Sequence, residues 1–133
     1  MKPKIEHFED LIAWQKARVL VAEIYRLTNE KPFSQDFGLR DQIRRAAVSI
    51  PSNIAEGFER WRRKEFGQFL SIAKASSAEL RTQLYIAHDI GYIDEPTLRK
   101  TLASAEQVAR IIARLRTSLS SSSTKDQGLR TKD

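Results

Sequence analysis

The strongest constraint on the fold is an apolar stripe that runs through a proline without losing phase. At about 100° per residue, Leu39, Ile43, Ala46, Ala47, Ile50, Ile54 and Phe58 fall on one side of a helix, at spacings of three and four. Pro51 sits inside this run. A proline that ended the helix would give the downstream residues no reason to keep the upstream phase. The pattern therefore predicts one helix, kinked at Pro51. There the missing N–H deprives the Ala47 carbonyl of its partner, at about 3 kcal/mol unless neighbours compensate. Ser49, Ser52 and Asn53 flank the kink and are suited to bond freed backbone groups. The competing arrangement is two helices, the second opening near Pro51 with Asn53 and Glu56 spaced as a capping box.

Beside the apolar stripe runs a polar row. Gln42, Arg45, Ser49, Asn53, Glu56 and Arg60 project within about a quarter-turn of one another. The row suits a solvated face, an ordered hydrogen-bond row between helices or subunits, or a ligand or nucleic-acid groove. It lacks the Lys/Glu mixture usual on solvated faces. Arg44 points elsewhere, so Arg44 and Arg45 do not form one patch.

Three further helical segments surround this one. From Leu11 to about Thr28, Ala13, Ala17, Leu20, Ile24 and Leu27 make a core stripe. Leu11, Trp14, Val21 and Tyr25 widen it beyond half the circumference, whereas a bundle helix needs only about 100°. The surplus marks Leu11, Trp14, Val21 and Tyr25 as a candidate subunit interface of a homo-oligomer, with Gln42, Ser49, Asn53 and Glu56 beside it; shielding by loops is the alternative. Asp10 is the expected N-cap, with Phe8 stapled onto the helix. Residues 29–37 read as a loop with a Ser34 cap. A third helix is expected over Lys64–Asp89. Its small-residue run AKASSA permits close approach to the proline-containing helix, and Gly57 suits either close packing or a C-terminal turn. Gly91 closes the third helix, and Asp94, Glu95 and Pro96 open a fourth, Thr97 to about Leu119.

Few Gly and Pro and 41% hydrophobic residues fit an all-α chain with a packed core. The expected fold is an antiparallel up-down four-helix bundle over residues 10–119. A short arm, residues 1–9, precedes it, and a Ser-rich basic tail, 120–133, follows and is expected to be disordered. There are no cysteines, and no apolar run approaches the ~18 residues of a membrane span. These features predict a soluble, cytoplasmic protein with no membrane partner.

The net charge is +6, a sign that suits polyanions. Its densest basic stretch is RWRRK, which makes Arg60, Arg62, Arg63 and Lys64 the candidate nucleic-acid-binding residues. Cations interleaved with an aromatic can hold phosphates while a base stacks on the ring. Arg44 and Arg45 join them only if subunits bring the two sites close. The competing reading is an ordinary interhelical corner with Trp61 packed inward. No catalytic, metal or cofactor pattern emerges. His7 and His88 are far apart, and HExxH, Gly-rich phosphate-loop and GxSxG motifs are missing. The chain therefore reads as a non-enzyme with no small-molecule substrate, and Glu56 as an ion-pair partner for Arg45 or Arg60.

The run RRAAVSIPSNIAEG resembles the signature of a bacterial four-helix-bundle family encoded within intervening sequences of 23S ribosomal RNA genes, also labelled S23 ribosomal protein. The likeness extends through FEDLIAWQKA, FGLRDQIRR, KEFGQFLSIAKASSAEL and IGYID, about residues 8–119, with Ile90 where the family's LGYI-like stretch has Leu. It implies an up-down bundle that assembles into a ring-like homopentamer, with ribosomal or other structured RNA as the first partner to consider. The architecture is also similar to the basic accessory protein of diversity-generating retroelements, which binds nucleic acid and a reverse transcriptase. Three functions follow as expectations. The first is a non-catalytic oligomeric module that binds RNA. The others are a protein scaffold without a nucleic-acid role and an accessory subunit of a reverse-transcriptase-type system.

Overall fold

The computed structural model describes residues 4–121 and contains four long helices: α1 (Ile12–Thr28), α2 (Phe37–Glu59), α3 (Arg63–Asp89) and α4 (Glu95–Ser121). Short 3-10 turns, Phe8–Asp10 and Phe33–Gln35, precede α1 and α2. All but the first residues of the expected tail lie outside the described residues. Helices adjacent in sequence pack together, and α4 returns to α1. The cross-helix hydrogen bonds run in antiparallel order: Arg44 to Thr28, Ser49 with Ser76, Ser77 to Ala105, Arg63 to Leu119. Among the described residues there is no strand.

The proline-containing segment is one continuous helix, α2, with Pro51 inside it. Ile43, Ala46, Ala47, Ile50 and Ile54 are buried from its stripe, and Leu39 and Phe58 pack against the same core. The two-helix alternative is excluded. Asn53 supports the helix beside the proline, donating from Nδ2 to the Ser49 carbonyl at 2.8 Å and to Ser49 Oγ at 2.9 Å.

Gly57 fixes how closely α2 meets α3. A Cβ there would lie 2.7 Å from Phe69 Cβ and 3.0 Å from Phe66 Cδ1. The first of these is inside any tolerable contact, so the missing side chain is what permits the approach. Higher up, the small residues of α3 do the same, and the Ser49 and Ser76 hydroxyls share a 2.8 Å hydrogen bond between the helices.

Two expected caps are corrected. Asp10 does not cap α1. The Phe8–Asp10 turn intervenes, and Asp10 Oδ2 closes back over its own turn, accepting from the Glu6 and His7 N–H groups at 3.0 Å each. Leu11 takes the N-cap position without a side-chain bond. Phe8 does meet the helix, its ring 5.2 Å from that of Trp14. For α2, Ser34 falls inside the 3-10 turn and Asp36 is the cap, accepting from the Leu39 N–H at 3.1 Å. Its other oxygen accepts from the Tyr92 hydroxyl at 2.8 Å, tying the start of α2 to the α3–α4 connection. These two bonds, the backbone one foremost, hold the Asp36 carboxyl below its ordinary pKa. The α3–α4 turn itself uses Gly91 at φ +89°, a left-handed position that a side chain would strain.

Candidate nucleic-acid interface

The basic run RWRRK forms the turn between α2 and α3, and its backbone decides what each cation does. Arg60 closes α2 with helical dihedrals, Trp61 follows at φ +68°, and Arg62 is extended as the N-cap of α3. The Trp61 N–H bonds the Phe58 carbonyl at 3.3 Å. Trp61 thus takes the left-handed position just past a helix end, which is usually glycine. For an L-residue with a Cβ this costs about 1–2 kcal/mol.

The four cations divide into two pairs. Arg60 is drawn back onto the bundle: it pairs with Glu56 at 3.0 Å, approaches Glu65 at 3.9 Å, and its guanidinium lies 5.1 Å from the centre of the Phe69 ring. Arg63 donates to the Leu119 carbonyl at 3.1 Å, which pins the end of α4 to the start of α3. These two hold the turn in place. Arg62 and Lys64 are exposed, and among the described residues neither side chain enters a hydrogen bond or ion pair. Just before them, the inward Trp61 of the competing reading is corrected. The residue is 55% exposed at its left-handed backbone position.

Arg44 and Arg45 do not join this corner within one chain. Arg45 is 15 residues from Arg60 along α2, about 22 Å at 1.5 Å per residue. Arg44 turns toward α1 instead. Its Nε donates to Thr28 Oγ1 at 2.8 Å, and its guanidinium stacks 4.4 Å from the centre of the Tyr25 ring. The cross-helix neighbour that captures Arg44 could be found only by pairing α1 with α2 in register.

The polar row on α2 also resolves into parts. Ser49 and Asn53 form a hydrogen-bonded cluster with Ser76, so this stretch joins helices of one chain. Glu56 is the partner of Arg60, as its spacing suggested. Gln42 and Arg45 are exposed. Of the α1 residues marked as an interface, Leu11 is corrected to the core: it is buried, because the preceding 3-10 turn places it under the chain. Trp14 and Val21 are half-buried against the core, and Tyr25 is exposed beneath Arg44. Trp14, Val21 and Phe8 line an open groove of about 350 Å³ between α1 and α2, closed on the far side by Val48, Pro51 and Ala55. Val48 lies off the apolar stripe, so nothing in the helical pattern marks it as a groove residue.

Among the described residues no group of three or more His, Cys, Asp or Glu side chains is placed to hold a metal ion, and no helix is long and apolar enough to cross a membrane. No curated protein matches the chain. A crystal structure at 1.70 Å resolution of a protein of unknown function from the S23 ribosomal protein family of Bacteroides thetaiotaomicron is similar, with a TM-score of 0.72 and 21% identity. The likeness covers 79% of this chain and 98% of that one, and at this identity it speaks for the fold. The family model described as 23S rRNA-intervening sequence protein matches residues 9–114. With that match taking in α1 to α3 and most of α4, the chain belongs to the 23S rRNA-intervening sequence protein family.

Proposed function

We propose that the protein is a non-catalytic module that binds structured or ribosomal RNA at the α2–α3 corner. The observation that carries this reading is the division of labour among the four cations. Arg60 and Arg63 brace the turn, which leaves Arg62 and Lys64 exposed on the C-terminal side of Trp61. Cations held on a fixed turn are pre-organised for phosphates, and displacement of counterions from those phosphates supplies the affinity. The net charge of +6 favours the encounter.

A second element of the reading is self-assembly. Ile12 and Val19 on α1 are exposed, Val19 at 62%, as are Ile72 and Ile86 on one side of α3 and Ile90 at its C-cap. Solvent-facing aliphatic residues on two helices suit burial against further copies of the chain. The homopentamer implied by the family resemblance is the assembly to test first.

Light scattering of the purified protein, with absorbance at 260 and 280 nm, tests both parts. The expected result is a particle several times the protomer mass, carrying nucleic acid that high salt removes. A monomer with protein-only absorbance at low salt overturns the reading.

A further inference from the structure

We infer that copies of this chain join head to tail, the outer face of α1 in one copy packing lengthwise on the outer face of α3 in the next, with Arg26 of one set against Glu79 of the other. This rests on the self-assembly reading above and adds the two faces, their register and a charge pair.

At about 100° per residue, Val19, Ala22 and Arg26 lie on one side of α1, and Ile72, Ala75, Glu79, Thr82 and Ile86 lie on one side of α3. All are exposed, Val19 at 62% and Ile72 at 48%. Both stripes step by three and four, the spacing with which a helix offers a seam to another helix. The outward side of α4 differs. It carries Arg99, Lys100, Glu106, Arg110 and Arg114, and among the described residues no exposed large hydrophobic side chain lies on that helix. The two helices with apolar outer stripes are not neighbours. Packing runs from α1 to α2, α3, α4 and back to α1, so α1 and α3 stand at opposite corners of the bundle. Unlike faces at opposite corners suit a heterologous contact, in which each copy offers one face to the copy before it and the other to the copy after.

Bonds inside one protomer fix which residues would meet. A closed ring of upright bundles has no rise from copy to copy, so residues at equal height face each other. Arg44 of α2 reaches Thr28 of α1, and Ser49 of α2 meets Ser76 of α3. Five residues back along α2 from Ser49 is Arg44, and five residues on along antiparallel α3 from Ser76 is Arg81. Arg81 therefore stands level with Thr28, an offset of 53 between α1 and α3. The same offset sets Val19 level with Ile72, Ala22 with Ala75 and Arg26 with Glu79. An aliphatic pair, a small pair and an opposite-charge pair thus fall in successive turns. The Arg44 side chain leans toward the start of α2, which allows the offset to grow by up to about one turn. Val19 then lies between Ile72 and Ala75, and Arg26 between Glu79 and Thr82. Among the described residues neither Arg26 nor Glu79 enters an ion pair within its own chain, so both charges are open to a second copy.

The chain has no cysteine, so introduced thiols report their neighbours without background. Under mild oxidation the Val19→Cys, Ile72→Cys double variant should form covalent multimers on denaturing electrophoresis, and each single variant should stay a single chain. Arg26→Glu or Glu79→Arg alone should raise the concentration at which the particle dissociates by roughly 10-fold or more, because like charges then face each other. The two reversals together should return it to within about 3-fold of wild type. Light scattering over a dilution series measures both, and circular dichroism checks that helix content is unchanged. Disulfides in either single variant, no multimers from the double variant, or charge reversals without effect or without rescue overturn the inference and leave self-assembly standing. A wild-type protein that is monomeric throughout overturns both.

Discussion

Gly57→Ala puts one methyl group where the structure leaves no room. The new Cβ would stand 2.7 Å from Phe69 Cβ, and ordinary contact begins near 3.4 Å, so α2 and α3 must separate by 3.4 − 2.7 = 0.7 Å at this level. The obstructing atom is a Cβ fixed to the α3 backbone, so rotation of a side chain does not relieve it. Phe66 Cδ1 at 3.0 Å and the Phe66 carbonyl at 3.4 Å close the other directions. Overpacking of this kind costs about 2–3 kcal/mol. Alanine recovers about 1 kcal/mol of helix propensity. The net is a loss of about 1–2 kcal/mol, or roughly 5–10 °C in melting temperature for a domain of this size. Gly67 is the internal control. It also lies in a helix, but nothing stands within 4 Å of its ideal Cβ. Gly67→Ala should therefore stabilise by about 0.5–1 kcal/mol. The assay is thermal unfolding by circular dichroism, all variants at one protein concentration so that any assembly contributes equally. A Gly57→Ala protein as stable as wild type would refute the close approach of α2 and α3. So would a Gly67→Ala protein that loses as much.

The other expectations concern single hydrogen bonds. Ser49→Ala and Ser76→Ala should each cost about 1 kcal/mol, and the double variant clearly less than their sum, because the two hydroxyls serve each other; urea denaturation of the four proteins measures the cycle. Arg63→Ala should loosen the last turns of α4 through loss of the bond to Leu119, raising amide hydrogen exchange near Leu115–Leu119 about 5-fold. Asp36 has a folded-state pKa below its ordinary value of 3.8, so its contribution to stability is present above that value and is lost as pH falls through the lowered one. Asp36→Asn should lower the urea midpoint at neutral pH and narrow its gap from wild type near about pH 3. A gap that stays constant with pH would contradict the bonds to Leu39 and Tyr92.

The bundle was legible because its helices carry long stripes in a single phase, and α2 kept that phase across Pro51. Tertiary packing then absorbed the proline within one helix. The caps were less legible. Asp10, Ser34 and Asp36 are all competent caps, and the choice among them depends on where a 3-10 turn gives way to a helix. The corner was found from composition but not resolved by it. Whether an arginine faces solvent or the bundle depends on the dihedrals of three residues at the turn. The partner of Arg63 is a carbonyl on α4, 56 residues away. Leu11 is a similar case: its apolar character is plain in the sequence, but the turn that buries it is not. Arg44 shows the converse, since its separation from Arg45 followed from helical phase alone, while Thr28 and Tyr25 as its partners required the fold.

On the proposed function, Arg62 and Lys64 are the cations left available to an RNA strand. The salt dependence of oligouridine binding by wild type and the Arg62→Ala, Lys64→Ala double variant measures this. Each phosphate contact on a single strand adds about 0.7 to the slope of log affinity against log salt, so the double variant should lose about 1.4. Equal slopes for the two proteins would contradict the account.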